Sequence, residues 1–192
     1  MPHPLSTLAQ VRSCDLCASH LPFPPKPILQ IHPEACILIA GQAPGRKAHD
    51  AGRPFADASG IRLRDWLGIP ESVFYSETTI AILPMGFCYP GSDSHGDRQP
   101  RTECAAHWRH RLLALMPNIE MTILVGHYAQ AWHLGKNVNL TETVRNWRAV
   151  WPCYLPIPHP SPRNNLWIKR NPWFETEILP KAKERIAALI TN

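Results

Sequence analysis

The chain has 192 residues, a net charge of +5 and a hydrophobic fraction of 44% against 18% charged residues. Those proportions are globular and exclude disorder as the default state. No run approaches the ~20 apolar residues of a membrane span, and MPHPLSTLAQVRSC lacks the charged-then-apolar layout of a secretory signal, so no membrane partner and a cytoplasmic location are expected.

The length fits one domain over residues 1–192, and a pI near 9.0 suits a polyanionic partner. Twenty-one prolines point to long, stiffened loops. In chain order, a helical pattern at Leu5–Leu16 precedes a strand at Ala35–Ala40 and a proline-rich loop at Gln42–Ala58. A helix at Ser59–Leu67 leads to a strand at Thr78–Leu83, a loop at Pro84–Pro100 and a helix at Arg101–Leu115. Then come a strand at Met121–Gly126, helices at Tyr128–Leu134 and Glu142–Val150, a strand at Tyr154–Ile157, a loop at Pro158–Arg170 and a helix at Pro172–Ile190. Short apolar runs alternating with helical periods predict an α/β fold: a three-layer α/β/α sandwich around a mainly parallel four-stranded sheet. In such sheets ligands bind beyond the carboxyl ends of the strands, so the three loops are expected to meet at one crevice.

Six cysteines in a reducing compartment read as thiols or metal ligands rather than disulfides. Cys36 lies inside an apolar strand and Cys153 begins another, which predicts two small buried hydrophobes. Cys14 and Cys17 form C-D-L-C, a gap that lets both sulfurs turn toward one metal. Cys88 and Cys104 bracket a loop that runs into a helix. Spacing alone leaves both an all-cysteine zinc site and a cubane cluster open.

Four stretches occur in a diagnostic order: the C-D-L-C pair, GQAPG (Gly41–Gly45), GRPFADASG (Gly52–Gly60) and HPSPRN (His159–Asn164). With Cys88 and Cys104 between the last two, the chain resembles the uracil-DNA glycosylase superfamily, nearest its iron–sulfur branches of bacteria and archaea, families 4 and 5. The resemblance implies a [4Fe–4S] cluster held by Cys14, Cys17, Cys88 and Cys104, with structural zinc as the alternative. It also implies a monofunctional DNA glycosylase for base excision repair. Such an enzyme flips a deaminated base, uracil first, out of single- or double-stranded DNA, and hydrolyses its N-glycosidic bond to leave an abasic site. The alternative is an iron–sulfur protein that binds nucleic acid on the same scaffold with little or no catalysis. A monomer is expected, since one DNA face suffices.

The same likeness assigns roles. His159 would hydrogen-bond the base carbonyl and Phe55 would stack on the extruded base, while Gly41, Ala43, Pro44 and Gly45 shape the pocket. Ser161, Pro162, Arg163 and Asn164 would meet DNA phosphates, with Lys169 and Arg170 extending the basic edge. Trp167 reads as an anchor of its own loop. Two positions depart from the family. Gln42 stands where a carboxylate is common, and an amide can orient water but not take its proton; His49 or Asp50 would supply that basicity. Pro84 stands where the uracil-selective branch has an asparagine that reads the base, which points to altered or broader specificity.

Overall fold

The computed structural model describes residues 4–94, 96–135 and 139–191. Strands β1 (Ile37–Ala40) and β2 (Ile80–Ile82) are followed by a small hairpin, β3 (Ser92–Asp93) with β4 (Gly96–Asp97), and then by β5 (Met121–Val125) and β6 (Tyr154–Ile157). The main sheet runs β2-β1-β5-β6, every neighbouring pair parallel, with Ile37 in register with both Ile80 and Met121. These strands are apolar almost without interruption because helices cover both faces of the sheet.

Alternate residues part to the two sides. Ile37, Ile39, Ile82 and Ile123 pack with Trp66 of the Ala58–Leu67 helix and with Phe174 and Ile186 near the C-terminus. Leu38, Ala81 and Leu83 pack on the other face against Val11 of the Pro4–Arg12 helix and against Trp108 and Leu112. The result is the expected three-layer α/β/α sandwich. At the outer edge of β2, Gln30 exchanges backbone hydrogen bonds with Ile82, and its amide donates to the carbonyls of Phe74 and Ile80. That pairing covers an otherwise open strand edge.

Three details differ from the sequence expectation. The first helix stops at Arg12, short of the cysteines, which lie in the turns that follow. The stretch expected as a single loop after β1 contains a helix at Arg46–Ala51, and the stretch after β6 contains one at Asn165–Arg170. Cys153 is exposed ahead of β6 rather than buried in it, while half-buried Cys36 directs its thiol at the carbonyls of Thr79 and Leu189.

From β1 the chain moves outward to β2, then returns to lay β5 on the opposite side of β1. That reversal creates a switch point between β1 and β5, where a crevice opens at the carboxyl ends. No helix of the described residues is long and apolar enough to cross a membrane.

Candidate functional site

At that end of the sheet lies a cavity of about 80 Å³, several times the ~10–15 Å³ that one water requires. All three loops reach it: Gly41 to Gly45 after β1, Pro84 and Asp97 after β2, and His159 after β6. Its floor is fixed through the backbone, because Met85 and Gly86 donate N–H bonds of 2.9 Å to the carbonyls of Gly41 and Gln42. The Gln42 amide in turn donates to the Arg98 carbonyl at 3.3 Å, joining the first loop to the β3–β4 hairpin.

Phe55 is wedged. Its backbone is left-handed at φ 54°, which a side-chain-bearing residue adopts only when its surroundings hold it. They do: a Cβ on Gly41 would stand 3.3 Å from the ring, and one on Gly60 would stand 1.8 Å from the Phe55 carbonyl oxygen. The Tyr75 hydroxyl donates to the carbonyls of Pro54 and Phe55, and Phe74 meets the ring edge-on. Phe55 thereby presents a half-buried ring to the cavity.

His159 is held with a defined tautomer. Its Nδ1 accepts the Ser161 N–H at 3.2 Å, so in the neutral ring the proton sits on Nε2. Burial lowers its pKa, opposed in part by Asp57, which keeps the imidazole neutral at physiological pH. The loop is braced by the Asn164 amide donating to the His159 carbonyl and by Arg62 donating to the Ser161 carbonyl and the Asn165 side chain.

A second pocket gathers Cys14, Cys17, Cys88 and Cys104 between apolar walls that include Phe87, Pro25 and Pro27. Trp108 donates its indole N–H to the Cys14 sulfur at 3.2 Å. Burial pushes the Cys88 thiol up to about 11 and the Cys104 thiol up to about 12, and the neighbouring sulfurs add to both shifts. Among the described residues, no group of three His, Cys, Asp or Glu side chains is gathered to hold one metal ion. One zinc would draw all four sulfurs to about 2.3 Å of a single atom. A cubane takes each cysteine at a different iron, and the four thiols lining one pocket supply the donor set of either group.

The profile of the uracil DNA glycosylase superfamily matches residues 29–183. The chain belongs to that superfamily. A type-4 uracil-DNA glycosylase of Sulfurisphaera tokodaii is 26% identical over 123 residues, covering 62% of this chain and 54% of the relative. The chain thus matches only about half the length of that curated relative. A solution NMR structure from Methanosarcina acetivorans, described as a candidate uracil DNA glycosylase, aligns with a TM-score of 0.46 and 14% identity over 80% of this chain and 92% of its own.

In this member of the superfamily the motif residues divide. Gly41 to Gly45, Phe55 and His159 come together at the pocket. Ser161, Pro162, Arg163 and Asn164 form the turn directly beyond His159, and Lys169 and Arg170 close the next helix, exposed. Trp167 anchors, its indole donating to Thr141 and its ring packing on Trp173 and Phe174. His49 and Asp50, the expected sources of basicity, do not line the pocket. They belong to the helix Arg46–Ala51, and at 3.6 residues per turn only Ala48 faces inward. His49 stacks on Phe23, and Asp50 pairs with Arg46 at 2.9 Å.

Two carboxylates that sequence reasoning passed over do line the cavity, Asp57 and Asp97. Asp57 caps the Ala58–Leu67 helix, accepting the Gly60 N–H at 3.0 Å. Burial raises the Asp97 pKa, Arg163 opposes that rise, and Asp57 reinforces it. The only sequence signal for Asp97 is a Gly-Asp pair in the middle of the cysteine loop, which reads as an ordinary turn.

Proposed function

We propose that the protein is a monofunctional DNA glycosylase of base excision repair, acting in the cytoplasm as a monomer of one domain. It takes a deaminated base, uracil first, into the pocket at the switch point and hydrolyses the N-glycosidic bond to leave an abasic site. The observation that carries this reading is the pairing of Phe55 with a neutral His159 whose Nε2–H is fixed as donor in the same cavity. A flipped base needs an aromatic face to stack on and a donor at the carbonyl where negative charge gathers as the base departs. Arg163 of the turn Ser161 to Asn164, continued by Lys169 and Arg170, offers side-chain cations to the flanking phosphates. Pro84 has neither a side-chain donor nor an N–H, so the edge of the base is read by other groups, which favours a broader substrate range.

Cys14, Cys17, Cys88 and Cys104 would hold a [4Fe–4S] cluster. The cluster serves as a structural tie between the turn after the first helix and the helix that carries Cys104. A colourless protein with stoichiometric zinc after anaerobic preparation would refute the iron.

The function is tested on oligonucleotides containing uracil, hypoxanthine or xanthine, single- and double-stranded, with abasic products cleaved by alkali. Strand breaks at the modified base are the expected result. DNA affinity with no product from any substrate would overturn it in favour of a non-catalytic iron–sulfur DNA-binding protein, a reading that Gln42 and Pro84 favour.

A further inference from the structure

We propose that Asp97 is the general base of this site, the carboxylate that takes the proton from the attacking water. The assignment rests on the glycosylase reading given above and adds the group that the first motif lacks. Gln42 can position a water but has no basic atom, and its amide is already turned to the Arg98 carbonyl, next to Asp97 in the chain. His49 and Asp50 face away from the cavity. Of the two carboxylates in the lining, Asp57 is committed to its helix cap. Asp97 is not a cap, and its carboxylate lies against the GQAPG loop: its Oδ2 would stand 3.2 Å from a Cβ on Gly45.

The hairpin that delivers Asp97 is built to lie close against the histidine loop. Gly96 has φ +114, a backbone that favours glycine, and the Arg163 guanidinium lies against it where a Cβ would stand, 1.6 Å away. Asp97 stands at the mouth, lining both the base cavity and an open cleft of about 440 Å³ on its other side. It therefore borders both the cavity and the open cleft beyond it. Asp57 and His159 share the cavity with it, Arg163 acts on it through its charge, and His20, Asp93, Arg98 and Arg101 share the outer cleft. Partial burial, reinforced by the Asp57 charge, makes Asp97 a better proton acceptor than an exposed carboxylate, and Arg163 opposes that rise.

The step balances. Water adds to C1′ as the C1′–N bond breaks, and the bonding pair leaves on the base, whose carbonyl oxygen receives the His159 Nε2–H hydrogen bond. The proton shed by the water passes to the Asp97 carboxylate and from there to solvent.

The test is single-turnover base release by the full chain with its metal centre intact, from uracil DNA at saturating enzyme across a pH series. DNA affinity and melting temperature are measured beside it. Asp97→Asn is expected to slow release by about 10²-fold or more, to remove the acidic limb of the pH profile, and to leave DNA affinity near that of the parent. Asp97→Glu is expected to restore part of the rate. If Asp97→Asn fails to fold, Asp97→Ser carries the same comparison. An Asp97→Asn protein that keeps the parental rate and pH profile overturns the proposal. So does one in which only affinity or melting temperature falls, because Asp97 would then be a mere brace for Arg163. Parent protein that releases no base overturns the glycosylase reading itself, and this role with it.

Discussion

Arg109 donates to the Pro84 carbonyl at 3.1 Å, and through that bond the helical stretch that follows Cys104 braces the wall of the cavity at the switch point. The same guanidinium donates to the Leu83 carbonyl and to His133 Nε2, and it lies under the Trp132 ring. Arg109 is wholly buried, and among the described residues no carboxylate pairs with it. Three fixed acceptors are matched by a planar fork that a lysine ammonium cannot reproduce. Arg109→Lys keeps the buried charge but loses the geometry, and is expected to lower unfolding stability by about 1–3 kcal/mol. Denaturant melts measure it; an unchanged midpoint would show that the clamp contributes nothing.

Gly60 is set by a contact rather than by its own backbone. A methyl group there would enter the Phe55 carbonyl at 1.8 Å, and that carbonyl also receives the Tyr75 hydroxyl. Gly60→Ala should therefore push Phe55 out of its left-handed conformation and cost at least about 1–3 kcal/mol. The readouts are thermal melting and base release, and both should fall. Loss of stability without loss of activity would mean that the wedge does not matter to the pocket.

His159 is expected to titrate below the ordinary imidazole range of about 6.5, because burial lowers its pKa. Nitrogen NMR of the labelled ring should find the Nε2–H tautomer at pH 7. His159→Ala should cut base release by about 10²–10³-fold, the scale for losing one donor to a developing anion. A ring protonated on Nδ1, or an alanine variant with intact release, contradicts the donor role.

His133 carries an acid liability. Burial first, and the Arg109 charge second, bring its pKa down to about 3, whereas unfolded imidazole titrates near 6.5. Between those values the unfolded chain binds a proton that the fold refuses. Its contribution is fully present above about pH 6.5 and is lost as pH falls toward 3, at up to about 1.4 kcal/mol per pH unit. His133→Gln should flatten that part of the stability–pH curve, as read from denaturation midpoints. A curve parallel to the parent's would discount this histidine.

Asp97 implies a trade between stability and activity. For an acid with a raised pKa, the fold favours the protonated form. Its stabilising contribution is present in acid and is lost as pH rises through the raised value. At neutral pH the ionised carboxylate is a net cost, so Asp97→Asn should melt higher than the parent while excising more slowly. A lower melting point for the variant would mean that its pairing with Arg163 outweighs burial.

The chain on its own determined the alternation that makes the sheet. Ile37 to Ala40 and Met121 to Val125 are apolar throughout because both faces of a parallel sheet are covered, and that pattern is local. It also carried the four cysteines, the GQAPG loop and the His159 motif, whose order along the chain resembles that of the superfamily. What the tertiary structure decided are the directions of side chains on irregular segments. A helix over Arg46–Ala51 turned His49 and Asp50 away from the cavity, His49 packing on Phe23 and Tyr89, since the phase of a short helix depends on what packs against it. A hairpin within the cysteine loop, turned at Gly96 with its positive φ, brought Asp97 to a pocket that also takes residues from the loops after β1 and β6. Arg109, indistinguishable in sequence from a surface arginine, became the buried clamp beneath Pro84 because only the folded chain gathers its three acceptors in one place.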